Sequence, residues 1–435
     1  MKTILHAEEI FRAGLERVNS RSLIETTLSV RDNTLFVKTD SEEWSLDLSN
    51  YKKIKLIGFG KASAQMARGL CNVLGDRVIE GLIIVKDPTD VQFPRGFEVL
   101  KGSHPIPDEQ SEIAGKKMLD FCLSCGEGEL VLGVISGGAS ALMEIPVDEL
   151  DLVDLQNTTQ RLMECGATIY EINCIRKHLS KIKGGKLARA LYPALSVNFI
   201  LSDVVGDDLS VIGSGPTVGS LSTVADTLAI IEKYELVSTL PLNIVKFLES
   251  KSESTETRII NAKNILIGSN RQALKAARNK AEQLGYDTII LSDKIQGEAS
   301  EVAKKFYAFS KEVEKGTMMK RPACVLAGGE TTVTIQGNGK GGRNQEMALA
   351  YLNLLDEGST QVFLSASTDG SDGPTDATGA FATSEILDKA LALAVEPMDY
   401  LFRNDSYHFF EKVGGHLKTG PTETNVCDLQ ILIIV

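Results

Sequence analysis

The sequence predicts an α/β protein built from two domains, and three observations carry that prediction. Short apolar runs recur along the chain, stretches with helical periodicity separate them, and one polar stretch, "LESKSESTETR" (248–258), divides the series in two. Continuous apolar runs flanked by helices are what strands buried on both faces look like in doubly wound sheets. A length of 435 residues with 43% hydrophobic content suits a globular chain of more than one domain. The boundary is placed at the polar stretch, giving domains 1–250 and 251–435.

In the first half, "IKLIGFG" (54–60) reads as a buried strand and "KASAQMARGLCNVL" as the helix after it. The strand "GLIIVKD" (81–87) follows, then a helix around 109–123 and the strand "LVLGVISGG" (130–138). Two helical stretches are expected within 148–191, before the strand "SVNFILSD" (196–203). The second half opens on "KNILIGSN" (263–270) and the helix "RQALKAARNKAEQLG", which ends at Gly285. "DTIILSD", a helix around 297–315, "ACVLAGGE" (323–330) and "TTVTIQG" (331–337) come next. The helix "NQEMALAYLNLL", the strand "QVFLSAS" (361–367) and a last strand "LQILIIV" (429–435) complete the series.

Bulk composition removes several classes of function. The net charge is -12 and no basic run dominates, which argues against nucleic acid as a partner. Small anions remain compatible, because a local site can be basic inside an acidic protein. No stretch approaches 18 apolar residues and the start "MKTILHAEEIFRAG" has no signal-peptide core, so no membrane partner is expected and the expected location is cytoplasmic. Seven cysteines include a single CxxC, Cys122–Cys125, with no second pair and no nearby histidine. A reduced thiol pair near a helix end is the preferred reading over zinc or redox chemistry.

The loops carry the chemistry. Six strands run directly into small-residue or acidic loops: "GFGKAS", "SGGASA", "SDVVGDD", "GSNRQ", "AGGE" and "STDGSDGPTD". Ligands of α/β sheets bind at the carboxyl ends of strands, so six such loops, three in each half, favour a cleft between two domains. In "GFGKASA" (58–64) a GxG holds Gly58 and Gly60, but Ser63 stands where a dinucleotide fingerprint needs Gly or Ala. Lys61 sits at the predicted start of a helix, where the macrodipole already disfavours a cation; a bound anion would resolve the conflict. The loop "ISGGASALMEIP" (135–146) is not GxSxG, and Ser136, Gly137, Gly138 and Ser140 read either as a backbone cradle for a carboxylate or phosphate or as a tight strand-to-helix turn. His104, in "GSHPIPD", is the one histidine kept as a ligand contact.

The helix "EINCIRKHLSKIKGGKLA" (171–188) brings Arg176, Lys177, Lys181, Lys183 and Lys186 together, as a solvated face or as an anion-facing surface led by Arg176. Asp203, Asp207, Asp208, Asp369, Asp372 and Asp376 fill two acidic glycine-rich segments. Their spacing is not an EF-hand and suits Mg²⁺ better, although most of them are expected to be turn residues or helix caps. "GGETTVTIQGNGKGGRNQE" (328–346) starts at Gly328 and Gly329 and places Lys340 and Arg343 in a glycine-rich hairpin, just before a helix beginning near Asn344. Neither glycine loop matches GxxxxGK[ST], so this is not a P-loop enzyme.

With "GFGKAS" (58–63), "GSHPIPDEQS" (102–111), "ISGGASAL" (135–142), "INCIRKHLSKIKGG" (172–185), "LSDVVGDDLSVIGSGPT" (201–217), "GGETTVTIQGNGKGGRNQE", "STDGSDGPTDATGA" (367–380) and "TGPTETNV" (419–426), the chain resembles the MOFRL-type glycerate kinases over nearly its whole length. The resemblance implies a Rossmann-like N-terminal domain with a parallel sheet, a distinct C-terminal mixed α/β domain and an active site in the cleft between them. It implies Mg²⁺-dependent transfer of the γ-phosphoryl group of ATP to glycerate, giving 2-phosphoglycerate and ADP. On that reading the partners are the small molecules glycerate and ATP, and a homo-oligomer is compatible.

The family's loop lysine falls on Lys61 and the arginine of its GGRNQE motif on Arg343; both are assigned to the transferring phosphoryl group. The Ser136–Ser140 loop and Arg176 are assigned to the glycerate carboxylate, and Gly58, Gly60, Gly328, Gly329 and Asn344 to substrate or nucleotide. Asp203, Asp207 and Glu330 are the candidates for Mg²⁺ or for activating the hydroxyl. The rival reading is an NAD(P)-dependent hydroxypyruvate reductase, supported by the GxG and by Asp87 as a ribose ligand. A two-lobed binding protein is a third class, but it does not need so many charged residues on separate loops.

Overall fold

The computed structural model describes residues 2–88, 92–251 and 259–435. The chain divides into two compact units. One comprises residues 20–267; the other joins residues 1–19 to residues 268–435.

The unit of residues 20–267 opens with an antiparallel meander, β1 (Leu28–Arg31), β2 (Thr34–Lys38) and β3 (Glu43–Asp47). Its first turn is Asp32-Asn33, both at positive φ, as a two-residue hairpin turn of matching twist requires. A second sheet follows, built from β4 (Lys53–Phe59), β5 (Val78–Val85), β6 (Phe97–Lys101), β7 (Glu129–Ile135), β8 (Leu195–Leu201) and β9 (Ala262–Gly268), in the order β6-β5-β4-β7-β8-β9. β4 pairs in parallel with both β5 and β7, and β5–β6 and β7–β8 are also parallel. The strand order reverses direction at β4, so the loops after β4 and β7 open side by side at the switch point where such sheets take ligands. Ile57, Phe59, Leu82, Met118, Ile135 and Ile200 belong to one core cluster of this unit. A second cluster joins the helices Leu152–Glu164, Ile169–Leu179 and Leu242–Ser250 through Leu162, Ile175 and Leu248.

The other unit holds β10 (Asp287–Ile295), β11 (Ala323–Gly329), β12 (Val362–Ser367), β13 (Gly379–Thr383), β14 (His416–Leu417) and β15 (Asp428–Ile434), in the order β10-β11-β15-β12-β13-β14. β10–β11 is parallel and the remaining pairs are antiparallel, so this sheet is mixed. β15 lies inside it, with every residue buried. The helix Lys2–Arg17 belongs here: Gly14 lets it lie against Leu429 and the carbonyl of Ala273, and His6 Nδ1 meets the Tyr286 hydroxyl at 2.7 Å.

Several expectations change. The compact units do not follow a boundary at 250/251. "KNILIGSN" is β9, the edge of the first sheet, where the N–H of Ser196 donates to the Asn261 carbonyl at 2.7 Å and the Asn198 amide donates to Asn264. Of the polar stretch 248–258, residues 252–258 lie outside the described residues. "TTVTIQG" is not a strand; it makes a single bridge, Glu298 to Thr332. Residues 148–191 hold three helices rather than two, the third being Lys186–Leu191. No expectation covered β1–β3, β6, β13 or β14.

Candidate active site

At the switch point of the parallel sheet the loops after β4 and β7 are laced together. The N–H of Lys61 donates to the Gly137 carbonyl at 2.9 Å, and the N–H of Ala62 donates to Ser136 Oγ at 2.9 Å. Gly60, at φ +120, is needed twice over: the backbone there is left-handed, and a side chain would overlap the Ser136 carbonyl and hydroxyl. Gly137 is needed because the Asp203 carboxylate, just beyond β8, lies directly over its Cα. Gly138 starts the short helix Ala139–Leu142, which contains Ser140, and a Cβ on it would sit 3.1 Å from both Lys61 Cγ and His104 Cδ2. Lys61, His104, Ser136, Gly137, Gly138 and Asp203 are therefore one group.

The Lys61 side chain is exposed and makes no ion pair among the described residues. Burial, followed by the charges of Lys61 and Lys86, pushes His104 down to about 4, so its imidazole is neutral at neutral pH. Gly58 does not join the group. It is a β4 residue whose Cα faces Ile83 and Val134, and its small size serves sheet packing. Asp207 sits in a left-handed turn after Asp203, and Asp208 accepts the N–H of Ser210 at 2.9 Å.

The basic run separates into different environments. Lys181 pairs with the exposed Asp148. Lys183 is fully buried against Glu144; burial pushes its ammonium down and Glu144 opposes that. Lys186 Nζ donates to the carbonyls of Lys177 and Ser180, satisfying acceptors at the end of the helix Ile169–Leu179. Arg176 donates to Thr159 Oγ1 at 3.2 Å and feels the Glu144 charge, so it stands beside the buried Lys183–Glu144 pair.

In the mixed unit, Arg343 opens the helix Arg343–Leu352. Its Nε and one terminal nitrogen grip Asp428 at 2.6 and 3.0 Å, while the other terminal nitrogen meets Glu330 at 2.8 Å. Burial works against the Arg343 charge, but Asp428 and Glu330 more than offset it and hold the guanidinium firmly charged. Asp428 has no exposed surface. Sequence reasoning missed it; the available signal was an acid at the head of the apolar run "DLQILII".

Beside Arg343, the Asp372 carboxylate accepts the N–H groups of Asn344 and Gln345 at 3.0 and 2.9 Å and so caps the helix. Asn344, expected to touch a ligand, is fully buried and committed to Asp372 and Ser365. Gly328 and Gly329 are also packing residues, set against Asn270 and the backbone of Ile295. The later glycines of the stretch pack against neighbouring segments, and Gly339, Gly341 and Gly342 also line a cavity with Arg343. Gly337 and Gly339 press on the Arg403 backbone, Gly341 on Ser406 and Gly342 on Asp372. The N–H of Lys340 donates to Asp405, and its ammonium lies 4.3 Å from the centre of the Tyr407 ring.

A cavity of about 450 Å³ opens in front of Arg343, lined also by Thr331, Thr332, Gly342, Glu346 and Asn404. Burial pushes Glu346 up to about 7; its bond from Asn404 pulls the other way, and the charges of Glu298 and Asp372 add to the rise.

The other acids are mostly turn and cap residues. Asp369 accepts the Ser371 N–H at 3.0 Å, and Asp376 accepts from Lys418 and Tyr407 at 2.8 and 2.7 Å. Among the described residues no three His, Cys, Asp or Glu side chains gather to hold a metal ion. Mg²⁺ bound with a nucleotide needs only one or two carboxylates beside phosphate oxygens. Asp203 lies against the Lys61 group at Gly137, and Glu330 is paired with Arg343. Cys122 and Cys125 are buried core residues with thiols pushed up, first by burial. No helix among the described residues is long and apolar enough to cross a membrane.

Two sequence families match the chain: the domain of unknown function DUF4147 over residues 6–249 and the MOFRL family over residues 323–428. The chain is 37% identical to the D-glycerate 2-kinase of Thermotoga maritima over 89% of this chain and 92% of that protein. It is 35% identical to a glycerate kinase of Homo sapiens over 98% of this chain and 92% of that protein. The crystal structure of a glycerate kinase from Thermotoga maritima superposes with a TM-score of 0.88 at 35% identity, covering 100% of both chains.

Proposed function

The chain belongs to the MOFRL family of glycerate kinases, and from that premise we propose that it transfers the γ-phosphoryl group of ATP to the 2-hydroxyl of glycerate. The observation that carries the reading is the match along the full length of both units to a glycerate kinase of known structure. The 3-2-1-4-5-6 strand order supports describing the first unit as Rossmann-like.

Phosphoryl transfer asks a protein for positioning and charge neutralisation more than for covalent chemistry. Lys61 supplies a mobile cation at the switch point, and Arg343 supplies a rigid one from the other unit. In this reading both act on the transferring group. Neutral His104 can donate one N–H to a phosphoryl oxygen without opposing Lys61. The Ser136–Ser140 loop takes the glycerate carboxylate with Arg176. Asp203 is the carboxylate that would hold Mg²⁺, which when bound offsets phosphate charge. The reductase alternative is weakened because Gly58 packs within β4 rather than forming the tight turn that a dinucleotide fingerprint places at its first glycine.

A coupled assay tests the reading. Enolase consumes 2-phosphoglycerate directly, whereas 3-phosphoglycerate first needs a mutase. Signal with ATP, Mg²⁺ and enolase alone is expected; signal only after mutase is added overturns the 2-hydroxyl assignment. NAD(P)H oxidation by hydroxypyruvate, with no ATP turnover, would overturn the kinase reading.

A further inference from the structure

A second cavity, of about 370 Å³, adjoins the one that opens in front of Arg343, and Glu346 and Asn404 line both. Asn404 holds this partition together. Its Oδ1 accepts the N–H groups of Gln336 and Gly337 at 2.8 and 2.9 Å, and its Nδ2 donates to Glu346 at 3.2 Å. It does so from a left-handed backbone at φ +52, which asparagine adopts more readily than most residues. The two cavities differ in chemistry. Ala350, Leu354, Met398, Leu401 and Phe402 line only the second and give it an apolar wall, and Phe402 is 70% exposed there. The Arg343 guanidinium and the glycines Gly339, Gly341 and Gly342 line only the first.

We propose, resting on the kinase reading, that the adenosine part of ATP binds in the second cavity. The base lies on the wall of Leu354, Leu401 and Phe402, the ribose at Glu346 and Asn404, and the phosphates enter the Arg343 cavity. Apolar surface, then an acid and an amide, then a cation among glycines is the order in which a nucleotide presents base, sugar and phosphate. Pockets for such ligands run to about 300–1,000 Å³, mostly apolar with a few placed polar groups. Gln336 and Asn353 bring amides to the same lining, and each can both donate and accept at the edge of a base. A carboxyl suits ribose, whose hydroxyls donate to it. Glu346 is raised to about 7 by burial, so it carries only part of a charge at neutral pH and opposes a passing polyphosphate less than an ordinary carboxylate. Glu298, also on the lining, already accepts the N–H and the hydroxyl of Thr334, both at 3.0 Å.

Calorimetric titration of the full-length chain tests this, with ADP as the probe and tripolyphosphate as the probe that keeps phosphates and lacks the base. Met398→Ser combined with Phe402→Ser changes two exposed side chains, so the fold is expected to survive, which the unfolding midpoint checks. The double variant should bind ADP about tenfold more weakly, the size of a lost base–aromatic contact, and should raise the KM for ATP by a similar factor. Tripolyphosphate should bind wild type and variant alike. Ser300→Trp, which places a large side chain on the lining, should weaken ADP further and again spare tripolyphosphate. Unchanged ADP affinity in both variants overturns the proposal, as does an equal loss for ADP and tripolyphosphate. Glycerate turnover is assayed separately. Turnover by wild type with unaffected variants removes this site and keeps the kinase reading; ADP binding that the variants weaken, without glycerate turnover, does the reverse.

Discussion

At the start of the helix Ser63–Leu74 the N–H of Ala62 meets only the Ser136 hydroxyl, whereas at the start of the helix Arg343–Leu352 two N–H groups meet the buried Asp372 carboxylate. The cations beside these helix starts differ in the same sense. Lys61 is exposed and makes no ion pair among the described residues; Arg343 is clamped by Asp428 and Glu330. One helix start is thus left for a ligand's charge and the other has already taken a charge from the chain. On the proposed reading, a phosphoryl group arriving at the first meets a side chain that must be ordered on binding. At the second it meets one whose ordering was completed by folding. Preorganised charge is the more effective kind for catalysis, because it needs no reorganisation when the reaction occurs.

The largest effect is expected at the rigid side. Arg343→Ala leaves Asp428 buried without its cation, which costs about 3 kcal/mol or more in stability. On the proposed reading it also removes a transition-state contact of the kind that contributes roughly 10³-fold to turnover. Denaturant unfolding and kcat measured on one preparation should both fall, and Arg343→Lys should recover only part of kcat. Retention of near-normal kcat with lowered stability would make Arg343 purely structural.

Lys61→Met should separate the two quantities. A loss of about 10²-fold in kcat is expected with an unchanged unfolding midpoint, since the side chain is exposed. A stability loss comparable to that of Arg343→Ala would erase the contrast between mobile and rigid cations.

Glu346 sharpens the comparison through pH. Its carboxyl is raised by burial to about 7, so between the unfolded carboxylate range and pH 7 the folded state binds the extra proton. Stability contributed by that proton is complete below the unfolded value and is lost as pH rises towards 7, by an amount on the order of 2 kcal/mol. Glu346→Gln should flatten that part of the stability profile, while the same scan of a Lys61 variant should follow wild type. Ser136→Ala is the mildest test. It removes the acceptor for the Ala62 N–H and should cost about 1 kcal/mol.

How far the sequence could be read follows from the distances involved. Strands such as β4, β7 and β15 were legible because a buried strand needs an unbroken apolar run, which is a local property. Lys61 and its partners were legible as loops following those strands. Asp428 was not, because its role depends on β15 entering the sheet and bringing it to Arg343 across 85 positions of chain. The six glycines from Gly328 to Gly342 each lie close to another part of the protein, which the sequence does not show, because nothing local tells a backbone neighbour from a phosphate. The pairing of Glu330 with Arg343 was not legible either, because an acid beside glycines looks alike whether its partner is a cation from solution or an arginine from the same chain.

The helix Lys2–Arg17 has a consequence for how the molecule is made. Its partners include Ala273 and Leu429, so this helix is completed by segments made long after it. Residues 20–267 form a contiguous unit and can fold while the ribosome is still working. At roughly 5–20 residues per second, the opening helix waits on the order of tens of seconds for β15 to emerge. Throughout that interval its apolar face, including Ile10 and Phe11, lacks its final cover. Chaperone capture of nascent chains should therefore concentrate on this helix and end once β15 has emerged.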